Sequence, residues 1–158
     1  DSLRLGRITD DLTRNIGTIH GGLLTNIVPE TCAVEGEIRG SVHAEALDCL
    51  KQTERGFQTA CDAFGAALTF SSKCLITAYH TPEDAPVVRR YFRACETFGL
   101  NTETVRTFGG SDNNILAQHG ISGIVIPSAM HACHSSNEYT SVFELVRLAE
   151  LLTELLCL

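Results

Sequence analysis

Residues 15 to 39 read N-I-G-T-I-H-G-G-L-L-T-N-I-V-P-E-T-C-A-V-E-G-E-I-R, and this stretch decides the fold. Its second half alternates: Cys32, Val34, Gly36 and Ile38 fall on one side, Thr31, Glu35, Glu37 and Arg39 on the other. A period of two is that of an antiparallel strand with one covered face. Residues 15 to 20 predict a shorter strand before it, closed by Gly21-Gly22, and the Asn-x-x-Pro step at Asn26 to Pro29 is ordinary turn chemistry.

Working outward, residues 45 to 64 place Leu47, Leu50, Phe57, Cys61 and Phe64 at steps that return to one side of a helix, and Gly65 supplies its stop. Leu68, Phe70, Cys74 and Ile76 alternate again, so residues 67 to 78 predict another strand. Strand, strand, helix, strand is an α+β layer. The polar run His80-Thr81-Pro82-Glu83-Asp84 then breaks the pattern, which divides the chain into residues 1 to 80 and 81 to 158.

Past that boundary helices and strands alternate. Pro86 suits a first helical position, Val88, Tyr91, Phe92 and Cys95 form an apolar stripe, and Gly99 ends the helix. A short strand is expected at 102 to 107, then Gly109-Gly110, a brief helix ending at His119-Gly120, and an apolar strand at 124 to 126. Ser141 and Glu144 have the spacing of a capping box opening a final helix with Phe143, Leu145, Leu148, Leu152 and Leu155, which needs a sheet to cover. This half reads as part of an α/β layer.

The net charge of −7, with no run of Lys or Arg, gives nucleic acid and anionic membranes little to bind. No window approaches the ~18 uninterrupted apolar residues of a membrane span, and no basic leader precedes an apolar stretch. The seven cysteines are odd in number and irregular in spacing, which fits neither a disulfide framework nor a C-x-x-C knuckle and points to a reducing, cytoplasmic setting. The first residue is Asp1 rather than Met, as expected of a fragment or a processed chain.

Three segments, in order, resemble the M20 family of zinc-dependent exopeptidases, nearest its peptidase-T-like branch. Residues 15 to 30 with the strand closing at Glu37-Ile38-Arg39 are similar to the family's dimerisation lid, where a glycine pair precedes an N-[IV]-[IV]-P turn. Gly109-Gly110-Ser111-Asp112-Asn113-Asn114, with a helix and His119-Gly120-Ile121 after it, is like the substrate loop of the catalytic domain. Met130-His131-Ala132-Cys133-His134-Ser135-Ser136-Asn137-Glu138-Tyr139 is similar to the last metal-ligand loop. The resemblance implies a ferredoxin-like lid followed by an α/β fragment of the catalytic domain. It implies a homodimer formed through the lid and a parent that hydrolyses short peptides with two zinc ions.

Each implied site has a plain structural rival. His134 takes the place of the family's last metal ligand, and a neutral imidazole is a favoured zinc donor, although a loop histidine is more often surface decoration. His131 is its nearest competitor, and Cys133 reads as packing. The family's H-x-D strand, bridging Asp and Glu-Glu pair have no counterpart. His43-Ala44-Glu45 comes nearest, and there Glu45 reads as a helix-start carboxylate. A chain with one ligand is expected to be inactive by itself.

Asn26 and Arg39 match the lid residues that, in the family, reach across the dimer to substrate, the arginine fork suiting a terminal carboxylate. The alternative is that Asn26 stabilises its own turn and Arg39 pairs with a surface Glu. Gly110, Ser111 and Asp112, after Gly109, would present amides to a peptide, or Ser111 or Asp112 would simply cap the helix. A rival function is a non-catalytic dimerisation or amino-acid-binding regulatory module, which has no need of G-G-S-D or M-H-x-x-H-S.

Overall fold

The computed structural model describes residues 3 to 157. The chain separates into two compact units, one running as far as Tyr79 and including Thr107–Gly109, the other made of His80–Arg106 and the chain from Gly110 onward.

The first unit holds β1 (Gly6–Thr9), β2 (Leu12–Gly21), β3 (Cys32–Gly40) and α1 (His43–Phe64), the strands forming an antiparallel sheet in the order β1-β2-β3. The β2–β3 ladder runs from Leu12↔Gly40 to Gly21↔Cys32 and slips register between Ile16 and Thr18, where Gly17 accommodates the bulge. Gly36 is required in β3: a Cβ there would collide with the Asn15 carbonyl oxygen and the Ile16 side chain across the ladder. The sequence had shown β2 at 15 to 20, three residues short at its start and one at its end, and β3 at 31 to 39, displaced by a single residue. It had not shown β1, whose four residues are too few for a periodic signal.

α1 begins two residues earlier than expected and ends as expected, with Gly65 at φ 67° and bonds from Gly65 N–H to Asp62 O and Ala66 N–H to Cys61 O. Its inward face differs from the predicted stripe. Cys49 and Thr53 are buried, Leu50, Phe57 and Cys61 half-buried, and Leu47 and Phe64 exposed. The reason is Arg14. This β2 side chain is 5% exposed. Its Nε and Nη2 donate to the Arg4 carbonyl at 2.9 and 2.7 Å, and its Nη1 donates to Thr53 Oγ1 at 3.1 Å. Thr53 Oγ1 in turn donates to the Cys49 carbonyl at 2.8 Å. A polar seam therefore occupies the sheet–helix interface where apolar residues were expected. Ser41 closes the layer from the other end, donating Oγ–H to Asp11 Oδ1 at 2.6 Å and N–H to Asp11 O at 3.0 Å.

The second unit holds α2 (Pro86–Thr97), α3 (Asn113–Gln118) and α4 (Val142–Cys157). Pro86 opens α2, and the chain leaves it through Phe98 and Gly99, the latter at φ 64°. Ala94, Cys95 and Leu151 form the α2–α4 core, with Tyr91, Phe98 and Leu155 packed round it. Burial, then the Cys95 thiol beside it, pushes the Tyr91 hydroxyl up to about 12. The Arg147 guanidinium covers the Phe98 ring at 5.2 Å.

Three predicted strands, at 67 to 78, 102 to 107 and 124 to 126, do not form as strands: among the described residues they find no ladder partner. Alternation specifies an extended backbone and two faces, whereas a strand also needs a neighbour. Likewise the expected covered face of β3 is open, with Cys32 and Val34 exposed and only Ile38 partly covered.

The Arg14 seam carries a stability prediction. Arg14→Ala should cost about 2 to 4 kcal/mol, because it strands the Arg4 carbonyl and opens a cavity against Thr53. Chemical denaturation of the chain monitored by circular dichroism measures it, and a loss under about 0.5 kcal/mol would mean the seam is peripheral.

Candidate functional site

The loop from Ala129 to Ser141 is an irregular segment of the second unit held by a backbone bridge and several side-chain hydrogen bonds. His131 and Tyr139 form an isolated antiparallel bridge, with N–H to O bonds of 2.9 and 3.1 Å in the two directions. Their rings stack at 4.8 Å and 17°. Within the bridge, Ser135 Oγ donates to Ala132 O at 2.7 Å and accepts Asn137 N–H at 3.1 Å. Thr140 Oγ1 donates to Ala129 O at 2.6 Å. Ala129, Ala132 and His134 all lie at positive φ, at 57°, 48° and 65°. The left-handed region is sparsely used by residues other than Gly, Asn and Asp, and persists where the surroundings impose it.

The two histidines of this loop differ in what their rings do. His131 Nε2 lies 2.8 Å from Glu144 Oε1. The other oxygen of that carboxylate accepts the Ser141 hydroxyl at 2.6 Å, and Ser141 Oγ accepts the Glu144 N–H at 3.2 Å. The capping box thus forms, extended by an imidazole. His134 is held by its backbone instead, its N–H donating to Glu138 Oε2 at 2.7 Å, and its exposed ring makes no hydrogen bond among the described residues. The sequence marked Ser141 and Glu144 by spacing but gave no signal that His131 would join them.

At the Gly109–Asn114 loop neither expected cap forms: no side-chain bond from Asp112 closes α3. Asn114 does this work, its Oδ1 accepting the Ser111 N–H at 2.9 Å, because a carboxamide three residues on can fold back where Asp112, already helical at φ −58°, cannot. Asn113 and Asn114 are buried, the Asn113 amide nitrogen and Ser111 Oγ have no hydrogen-bond partner among the described residues, and Asn113 lies so close to Gly123 that a Cβ there would clash. Gly110 and Asp112 are exposed.

In the first unit Arg39 makes the bidentate bond that the plain reading expected, Nε and Nη2 donating to Glu37 at 2.9 and 3.1 Å, with both side chains about half exposed. Asn26 lies in the exposed 22-to-31 loop and makes no side-chain hydrogen bond among the described residues, so it does not stabilise its own turn. The hairpin does not bring the two together. Arg39 pairs with Thr13, and Cys32, where the loop re-enters, lies about 24 Å back along β3 at ~3.4 Å per residue.

No group of three or more His, Cys, Asp or Glu side chains that could hold a metal occurs among the described residues. The His134 imidazole, the ligand expected from the sequence, has no second or third donor grouped with it among the described residues. All seven cysteines are unpaired. No helix among the described residues is long and apolar enough to cross a membrane.

The family model of the peptidase dimerisation domain of M20 peptidases matches residues 3–63. An uncharacterised Bacillus subtilis protein, YqjE, is 28% identical over 152 residues, covering 96% of this chain and 41% of the relative. Among solved structures, the aminopeptidase PepT of Bacillus cereus is similar with a TM-score of 0.89 at 28% identity. A tripeptidase of Staphylococcus aureus is similar with a TM-score of 0.93 at 25% identity. Each match covers 97% of this chain and 41% of the solved one, so the chain spans less than half the length of the proteins it resembles.

The capping carboxylate gives a pH prediction. The Ser141 hydroxyl first, then His131, holds Glu144 below the ordinary glutamate range. A lowered carboxyl pKa contributes stability above the unfolded value and loses it as pH falls through the folded one. Carbon-13 titration of the Glu144 carboxyl should therefore show a midpoint below that of a free glutamate. Ser141→Ala should raise it more than His131→Ala does; the opposite order would contradict this account of the cap.

Proposed function

We propose, from a chain whose residues 3–63 match the dimerisation domain of M20 peptidases, that its parent is a dimeric aminopeptidase of that family acting on short peptides, tripeptides among them. The observation that carries this reading is the likeness over 97% of the chain to a solved aminopeptidase and a solved tripeptidase, which runs through both units and not the dimerisation domain alone. A dimerisation or regulatory module would account for the first unit and leave the Ala129–Ser141 loop unexplained.

In this reading residues 1 to 80 are the dimerisation lid and residues 81 to 158 the last part of the catalytic domain. The parent pairs two lids about a two-fold axis, the commonest geometry of homo-oligomers. The parent would hold two zinc ions, His134 supplying one ligand, and such metals polarise a carbonyl and lower the pKa of bound water. The remaining ligands lie outside this chain, so the chain has no hydrolytic activity alone. Seven unpaired thiols support a reducing cytoplasm as its setting.

What the chain's own residues contribute is substrate binding. The Arg39 fork already holds one carboxylate, that of Glu37, at the protein surface. A peptide C-terminus is another carboxylate, and exchanging one for the other conserves both charge-assisted bonds. The exposed Asn26 carboxamide has donors and an acceptor free for a peptide backbone. Because Asn26 and Arg39 sit toward opposite ends of the β2–β3 ladder, they serve different parts of the substrate or different sites of the dimer. Gly110, Ser111 and Asp112 lie on the loop that would carry the scissile region.

The test is kinetic. In the parent enzyme Arg39→Ala should lower kcat/KM on a tripeptide by about ten- to a hundredfold, the loss of a charge-assisted bond worth roughly 1.5 to 3 kcal/mol. Arg39→Lys should recover only part of it. Amidating the peptide C-terminus should penalise wild type and spare Arg39→Ala. Equal penalties would mean that Arg39 does not read the carboxylate.

A further inference from the structure

The three positive-φ residues, Ala129, Ala132 and His134, fall within six positions, and none is glycine. Alanine has no side-chain hydrogen bond with which to offset the left-handed conformation, so the loop would relax unless something outside those residues fixed it. Two sets of contacts surround it. One is internal: the Ser135, Asn137, Glu138 and Thr140 bonds. These would travel with the loop wherever it went.

The other set anchors the loop to α4. It consists of the bond between His131 Nε2 and Glu144 at 2.8 Å, with the Glu144 carboxylate fixed in turn by Ser141 Oγ at 2.6 Å. The helix carrying Glu144 is itself docked on α2 through Leu151 and Leu155. Stacking on Tyr139 sets the plane of the His131 ring, so its nitrogen can meet the carboxylate in one orientation. His131 is three residues before His134, and its backbone bridge to Tyr139 closes the segment in which His134 sits.

We propose that His131 and Glu144 are a positioning pair: their bond ties the Ala129–Ser141 loop to α4 and presets the left-handed backbone that points the free His134 imidazole outward. The proposal rests on the reading of His134 as a ligand, and it assigns His131 a different task from its neighbour. His131, half-exposed and hydrogen-bonded at Nε2, holds; His134, unpartnered at its ring, binds. A ring held through one nitrogen by a carboxylate is also how many metal-binding histidines are oriented, so direct ligation by His131 Nδ1 is the outcome that competes.

The chain itself, labelled with nitrogen-15, supports the experiment. Amide hydrogen exchange reads how firmly the loop is held, and imidazole nitrogen shifts on addition of zinc ion alone read what His134 can bind. Glu144→Ala and His131→Phe, the latter keeping an aromatic face for Tyr139, should each speed exchange at the His134 and Tyr139 amides at least tenfold. Amides of α4 beyond Leu148 should stay protected. Ser141→Ala weakens the helix cap and leaves the imidazole–carboxylate bond, so it should change loop exchange far less, and Glu144→Gln should fall between.

Wild type should show zinc-dependent shifts at the His134 ring, and the two clamp variants should need severalfold more zinc for the same shift. Unchanged loop exchange in Glu144→Ala and His131→Phe overturns the positioning pair. So does a loss in Ser141→Ala as large as theirs, which would make the effect one of capping. Zinc-dependent shifts at His131 rather than His134 overturn it in favour of direct ligation. If zinc moves neither ring in wild type, the ligand reading of His134 fails, and the exchange data alone decide whether the loop is clamped.

Discussion

The constraint on which the rest of this structure depends is that the chain cannot cover its own apolar surface. It exposes 12099 Å², whereas two separate domains of half its mass would expose about 9,300 Å². Among the described residues seven apolar side chains are buried, while Leu23, Val28, Phe64, Val142 and Leu156 stand almost fully open. Hydrophobic burial is ordinarily the dominant favourable term in folding. Here much of that term is left for contacts that the described residues do not make with one another, and the exposed faces mark where such contacts belong.

What holds the elements in place is accordingly polar and local. In the first unit the β2–β3 ladder supplies paired backbone groups along its length, and α1 is attached through Arg14, Thr53 and Ser41 as much as through side-chain packing. In the second unit the α2–α4 core is small, and the Ala129–Ser141 loop depends on hydrogen bonds accepted by Glu138 and Glu144 and donated by Ser135 and Thr140. This has a bearing on function. Loops fixed by directional bonds keep their shape when a large apolar face beside them is covered or uncovered, so the ligand groups proposed above would not depend on the state of assembly.

The sequence made some of this legible and hid the rest for physical reasons. Elements whose signal is local were readable: the turn at Gly65, the proline start of α2 and the Ser141–Glu144 cap each follow from a few adjacent residues. The strands at 67 to 78, 102 to 107 and 124 to 126 were misjudged because periodicity describes a face, and pairing requires a second chain segment. Arg14 was invisible for the same reason, since nothing near residue 14 announces that Thr53 and the Arg4 carbonyl will meet it. At the candidate site the resemblance drew attention to His134 and Arg39, and the plain alternative for Arg39, pairing with a surface Glu, left open that the partner would be Glu37. That Asn114 rather than Ser111 or Asp112 would close the start of α3, and that His131 would bond to Glu144, depended on geometry no spacing rule encodes.

If open apolar faces are the governing constraint, the chain gains stability from whatever covers them, and a second copy is the cover we propose, because residues 3–63 match a peptidase dimerisation domain. Coupling of folding to association makes the unfolding midpoint depend on protein concentration. The direct measurement is equilibrium urea denaturation of the chain at concentrations spanning about a hundredfold. The account predicts a midpoint that rises steadily with concentration; a midpoint that stays fixed across that range, with a single cooperative transition, would contradict it.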